Sequence, residues 1–231
     1  MKKEFGVIGL GVMGKSLSRN LARNGFSISM YNRHIEGKEE HIAIDFKREY
    51  PEMEQALPFD DLKGFVSSLA SPRKIILMVN AGPAVDSVIS DLAAYLDSGD
   101  VIIDGGNSHY DDTQRRIATL KEKGLHLIGA GISGGEMGAL KGPSIMPSGD
   151  KEAYSKVQDY LESIAAKDDD KNPCCTYIGS QGSGHFVKMI HNGIEYVEMQ
   201  LLAECYSILK SQRLSNDEIA SVFESWMKDL N

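Results

Sequence analysis

Lys188, His191, Asn192 and Glu195 stand at positions i, i+3, i+4 and i+7 of one run, so on a helix they share a face. A lysine and a glutamate in one cavity suit paired acid–base chemistry. Burial would lower the lysine pKa and raise the glutamate pKa, and a neutral lysine can then take a hydroxyl proton. A polar stripe on a generic helix is usually a solvated face. Here Phe186, Val187, Met189, Ile190, Ile194 and Val197 surround it, which points to an enclosed site. A second constellation lies near the start. Gly9-Leu10-Gly11-Val12-Met13-Gly14 is a G-x-G-x-x-G run between a strand-like and a helix-like segment. The first glycine permits a tight turn, the second lets backbone approach a pyrophosphate, and the third lets helix pack on strand. The helix N-terminus then offers free N–H groups and a partial positive charge to phosphates. Hydride transfer to a dinucleotide is the chemistry that joins the two constellations.

These groups need elements to hold them. Residues 5–8, 27–31, 74–79, 101–104, 125–130 and 175–178 read as strands, with a weaker strand near Leu57. Helices are expected over 13–24, 35–49, 62–70, 84–96, 111–123 and 152–166. Strands alternating with helices imply an α/β fold, a doubly wound and mostly parallel sheet of Rossmann type that binds ligands beyond the carboxyl ends of its strands. After residue 184 the strand signal ends. A long helix over 185–210 follows, and Ser215-Asn216-Asp217-Glu218 reads as a capping box opening another. The expected domains are therefore 1–180, dinucleotide-binding, and 181–231, the beginning of an all-helical domain.

The second strand ends Tyr31-Asn32-Arg33-His34, without the carboxylate that an NAD site usually places there. Arg33 offers a planar donor fork suited to a 2′-phosphate; Asn32 and His34 add donors. NADP is expected over NAD.

Composition narrows the partners. With 25 basic and 33 acidic residues the net charge is −8, which disfavours nucleic acid and anionic membrane. No apolar run approaches the roughly 20 residues of a membrane span, and the first residues carry no secretory pattern. Cys174, Cys175 and Cys205 form no C-x-x-C pair, and the six histidines are scattered, so reduced thiols, a cytoplasmic location and no metal site are expected.

Four blocks in order carry a resemblance. They are Gly9–Gly14, Asp104-Gly105-Gly106-Asn107-Ser108, the run from Gly129 to Ala139 with the G-P-S-I-M-P stretch after it, and the Lys188–Glu195 segment. Together they resemble the signature blocks of the decarboxylating 6-phosphogluconate dehydrogenase family, within the β-hydroxyacid dehydrogenases. The resemblance implies NADP-dependent oxidative decarboxylation of 6-phosphogluconate to ribulose 5-phosphate, CO2 and NADPH, in the pentose phosphate pathway and gluconate utilization. It implies Lys188 as general base and Glu195 as general acid. It implies substrate contacts at Asn107, Ser133, Gly134, Gly135, His191, Asn192 and Tyr196. Cofactor contacts are implied at Gly9, Leu10, Gly11, Val12, Met13, Gly14, Asn32, Arg33, His34, Met78, Val79, Asn80 and Asn107. Asn80 and His34 stand where the family often has lysine and threonine. A homodimer is expected of the family, whose long helical C-terminal domain is here expected to be nearly all missing. A 3-hydroxyacid dehydrogenase and a non-catalytic NADP-binding fragment are the alternatives.

Overall fold

The computed structural model describes residues 1–228. In chain order the elements are β1 (Phe5–Ile8), α1 (Val12–Arg23), β2 (Ile28–Tyr31), α2 (Ile42–Glu49), β3 (Leu57–Phe59), α3 (Leu62–Ser67), β4 (Lys74–Leu77), α4 (Pro83–Ala93), β5 (Val101–Asp104), α5 (Tyr110–Lys121), β6 (His126–Ser133), α6 (Gly135–Lys141), β7 (Ser144–Gly149), α7 (Lys151–Ser155), α8 (Gln158–Ile164), α9 (Ser183–Ser211) and α10 (Asn216–Lys228), with a 3-10 turn at Pro51–Met53. The strands make one seven-stranded sheet in the order β3-β2-β1-β4-β5-β6-β7. All neighbours pair parallel except β6 and β7, which run antiparallel.

The core follows from the period of two along each strand. Ile76, Ile103 and Ile128 belong to one apolar cluster with Leu17, Leu21 and Met30. Their chain neighbours Ile75, Ile102 and Leu127 belong to a second cluster with Phe65, Val85 and Leu92. Both faces are thus covered by helices, as a parallel sheet requires. The chain order reverses between adjacent β1 and β4, and a sheet of this kind opens a ligand crevice at that reversal.

The chain divides into two compact units at Met189/Ile190. The first holds the sheet, its helices and the opening turns of α9. The second holds the rest of α9 and α10. There the expected capping box is present: the Ser215 N–H donates to the Glu218 carboxylate at 2.8 Å, and the Glu218 N–H donates to Ser215 Oγ at 3.3 Å.

Three expectations need correction. The helix expected over 35–49 forms only from Ile42, because Ile35 and Glu39 exchange backbone hydrogen bonds at 2.9 and 2.8 Å around Gly37 at φ +71°. The helix expected over 152–166 breaks at Val157, whose φ of −120° is not helical. The strand expected at 175–178 does not form; that segment touches β7 through single bridges at Cys175 and Gly179. The last strand is instead β7, whose Pro147 and Gly149 weaken its strand signal.

Asn20 ties the layers together. It is 4% exposed, and its Nδ2 donates to the carbonyls of Ala139 in α6 and Ile164 in α8, at 3.0 and 2.9 Å. Asn20→Ala strips both buried acceptors and is expected to cost about 2–3 kcal/mol. The measurement is urea unfolding, where the midpoint should fall and the slope should hold.

Candidate dinucleotide and acid–base site

A cleft of about 330 Å³ opens at the crevice, lined after β1 by Gly11–Gly14, after β4 by Met78–Ala81, after β5 by Gly105–Asn107, and by Ile132 of β6. Each segment sits where a parallel strand delivers its carboxyl end. The glycines fit a phosphate group. Gly9 takes φ +91°, and a Cβ there would lie 2.5 Å from the Met78 carbonyl. At Gly14 a Cβ would collide with the Gly9 carbonyl. Nothing lies within 4 Å of a Cβ built at Gly11, so a side chain would fill the open cradle over the start of α1.

The turn after β5 is held from beneath by a network that the sequence does not reveal. Arg116 of α5 is 2% exposed. Its guanidinium donates to Asp104 at 3.3 Å, to Ser108 Oγ at 3.1 Å, to the Gly82 carbonyl at 3.0 Å, and to both Asp86 oxygens at 2.9 and 3.0 Å. The Asp104 carboxylate accepts from the Gly106 N–H at 3.1 Å and from Ser108 Oγ at 2.7 Å. One buried cation thereby fixes the turn that carries Asn107 and the turn that opens α4. Hydrogen bonding from Arg116 holds the Asp86 carboxyl far below the usual carboxylate range. Removing a single member of such a buried pair costs about 3–5 kcal/mol, because the other charge stays uncompensated. The only sequence signal was the arginine within an otherwise amphipathic helix.

The opening turns of α9 lie against β6 and β7. A Cβ on Gly184 would strike the Met146 carbonyl. A Cβ on Gly131 would come within 2.5 Å of Lys188 Cβ, and one on Gly129 within 3.0 Å of His185 Nδ1. Bare strand backbone therefore receives both side chains. Lys188 is 7% exposed, and the start of its side chain lies against Gly131, the residue before Ile132, which lines the cleft; Lys188 itself is not among the lining residues. His185 is buried; its Nδ1 lies 2.7 Å from Thr113 Oγ1. Burial lowers its pKa below the ordinary 6.5.

The other predicted residues fall as follows. Leu10 is buried, Val12 and Met13 line the cleft, and Met78, Val79, Asn80 and Asn107 line it too. Ser133 ends β6 beside Ile132; Gly134 (φ +136°) and Gly135 (φ +59°) lead exposed into α6. In the second unit the His191 Nδ1 and Glu195 carboxylate pair at 3.3 Å, Asn192 is half-buried, and Tyr196 is exposed. Glu195 was expected on an enclosed face, yet its side chain is 52% exposed. Ile194 and Val197 are exposed as well. Within that unit α10 is the only other described helix, so it covers at most one side of α9.

At the end of β2 Asn32 is half-buried, with Oδ1 accepting from the Leu10 N–H at 3.0 Å, which ties it to the glycine turn. Arg33 and His34 are exposed. A carboxylate is present after all. Glu39 accepts from Asn32 Nδ2 at 3.0 Å and pairs with Arg33. It lay hidden in the expected helix over 35–49. Cys175 is buried, and burial pushes its thiol up to about 12, so it is no nucleophile. Among the described residues no three His, Cys, Asp or Glu side chains cluster as a metal site would, and no helix is long and apolar enough to cross a membrane.

A model of the NAD binding domain of 6-phosphogluconate dehydrogenase matches residues 4–179. The chain belongs to the 6-phosphogluconate dehydrogenase family. The model of that family's C-terminal domain matches residues 184–231. A Bacillus subtilis relative named an NAD(+)-dependent, decarboxylating 6-phosphogluconate dehydrogenase is 52% identical over 98% of this chain and 47% of its own length. The decarboxylating 6-phosphogluconate dehydrogenase of Escherichia coli K12 is 51% identical over 97% of this chain and 47% of its own. The chain thus spans about half the length of the curated relatives it matches. A Plasmodium falciparum 6-phosphogluconate dehydrogenase, studied with NADP+ and with 6-phosphogluconate, superposes with a TM-score of 0.87 at 40% identity, over 97% of this chain and 47% of that one. A Mycobacterium tuberculosis 3-hydroxyisobutyrate dehydrogenase shares the fold, with a TM-score of 0.76 at 21% identity over 97% of this chain and 71% of that one.

Two outcomes are expected of the α9 seat. Gly131→Ala should push the Lys188 stem off the strand and cost about 1–3 kcal/mol, read by thermal unfolding. For His185, unfolding restores the ordinary pKa, so the unfolded chain takes the proton first as pH falls. The stability from neutral His185 is complete above about pH 6.5 and declines below it toward the lowered folded value. As pH is lowered below about 6.5, wild-type stability should therefore fall more steeply than that of His185→Gln, in denaturant titrations at each pH.

Proposed function

We propose that the protein carrying this chain oxidises and decarboxylates 6-phosphogluconate to ribulose 5-phosphate and CO2, with NADP as hydride acceptor. The observation that carries this is Lys188: a buried lysine seated against bare β6 backbone at Gly131, one residue before Ile132 of the cleft lining. Lys188 takes the proton of the substrate C3 hydroxyl. NADP, held by the Gly9–Gly14 turn, would supply the acceptor for the C3 hydride. The C1 carboxylate then leaves as CO2 while Lys188 returns its proton to the C3 oxygen, giving the enediol; Glu195 protonates the former C2, which becomes C1 of ribulose 5-phosphate, as the enediol hydroxyl proton is lost and the carbonyl forms.

Asn107, Ser133, Gly134 and Gly135 orient the substrate from the β5 and β6 ends, and His191, Asn192 and Tyr196 do so from α9. The turn Gly9–Gly14 holds the pyrophosphate through backbone N–H groups. Met78–Asn80 border the nicotinamide side, and Asn32, Arg33 and His34 face the 2′-phosphate. Residues 1–180 act as the NADP-binding domain and 181–231 as the first helices of the helical domain. A cytoplasmic homodimer in the pentose phosphate pathway and gluconate utilization completes the proposal. One observation favours a second reading, dinucleotide binding without turnover by this chain alone: Glu195 is half-exposed.

The test uses the full-length protein with 6-phosphogluconate and NADP, following NADPH and CO2 together. Lys188→Ala is expected to lower turnover about a hundredfold or more. Normal turnover in that variant would contradict the proposal. Oxidation of simple 3-hydroxy acids without CO2 would favour the hydroxyacid dehydrogenase instead. NADP binding by the 231-residue chain without turnover supports the second reading.

A further inference from the structure

We infer that Glu39 is the cofactor-selecting residue: it occupies Arg33 and presents a carboxylate at the end of β2, so that NAD is accepted and NADP preference is not strict. The inference rests on the dinucleotide site proposed above and concerns its 2′ end. Parallel folds of this kind read the adenosine ribose at the end of the second strand, a carboxylate there taking the 2′-hydroxyl and an arginine the 2′-phosphate. This chain brings both groups to that point.

The placement is built by the backbone. The paired hydrogen bonds between Ile35 and Glu39 close a short loop at Gly37, which returns Glu39 to the strand it left. There its Oε1 accepts from Arg33 Nη2 at 3.0 Å, and its Oε2 accepts from Arg33 Nε at 3.3 Å and from Asn32 Nδ2 at 3.0 Å. Asn32 in turn holds Leu10 of the glycine turn. The carboxylate is therefore wired through one amide to the phosphate cradle. Pairing with Arg33 lowers the Glu39 pKa and raises that of Arg33, so the pair stays ionised at neutral pH.

A 2′-phosphate must displace Glu39 to engage the Nε–Nη2 edge of the guanidinium, and at any other edge it meets a like charge beside it. The pair is displaceable, because the Arg33 side chain is 67% exposed and solvent screens the attraction. NADP still binds, with less advantage than an unencumbered Arg33 would give. A ribose hydroxyl needs no such exchange, since the carboxylate, with three hydrogen bonds accepted, keeps room for one more donor.

Calorimetric titration of the 231-residue chain with NADP and with NAD tests this. The proteins are wild type, Glu39→Gln, Arg33→Ala and the double variant. Glutamine keeps an oxygen for Asn32 and removes the charge. The affinity ratio of NADP to NAD is expected to rise about fivefold or more in Glu39→Gln, and to rise by a smaller factor when the same change is made on Arg33→Ala, where only the carboxylate's own attraction for the hydroxyl and repulsion of the phosphate are removed. Glu39→Ala, run in parallel, should move the ratio the same way, so misfolding of one variant does not decide the outcome. An unmoved or falling ratio in both Glu39 variants overturns the role of Glu39, and so does an equal rise with and without Arg33. Wild type binding neither dinucleotide would overturn the cofactor site itself; wild type binding both with a fixed ratio overturns the selector alone.

Discussion

Helix α9 reaches its lysine to the sheet because glycines remove what would stand between them. Gly184 on the helix and Gly129 and Gly131 on β6 leave no room for a Cβ, and Lys188 and His185 take the space. A buried lysine against strand backbone is costly for a fold to keep unless its charge is partnered. Gly131, which seats it, is followed in β6 by Ile132, which lines the cleft of about 330 Å³. Everything proposed about acid–base chemistry depends on this close approach, since a side chain at any of the three positions would lift α9 away.

The cleft itself is framed by backbone more than by side chains. Turns after β1, β4 and β5 supply most of its wall, and those turns are fixed by groups buried behind them. Arg116 joins the β5 turn to the turn before α4, and Asn32 joins the β2 end to the first glycine turn. Loops alone would be mobile; tied to charged or amide groups with several hydrogen bonds each, they hold a ligand-ready shape. The same logic reaches the 2′ end, where Glu39 and Arg33 restrain each other in solvent rather than in the core.

Much of this was readable in the residues. Continuous apolar runs marked β1, β4 and β5, alternation with helices marked the parallel sheet, and the glycine spacing marked the cradle. The capping box at Ser215 was legible because its two hydrogen bonds are local. What escaped was non-local. Strand β7 carries Pro147 and Gly149, and only its pairing with β6 makes it a strand. Glu39 looked like a helix-surface residue until the loop at Gly37 turned it back to β2. Arg116 falls within the expected helix over 111–123, where its residue type gives no sign of burial, yet it is nearly sealed from solvent. Lys188 and Glu195 were expected to share one enclosure, and only Lys188 is buried, because burial depends on what packs over a helix and not on the helix's own pattern.

The most direct measurement is a crystal structure of this chain with NADP bound. The pyrophosphate should lie over Gly11 at the start of α1, with the nicotinamide ring between the Gly105–Asn107 turn and Ile132, on the side where Lys188 enters. A pyrophosphate held elsewhere, or a nicotinamide screened from Lys188 by the body of β6, would contradict the functional site described here.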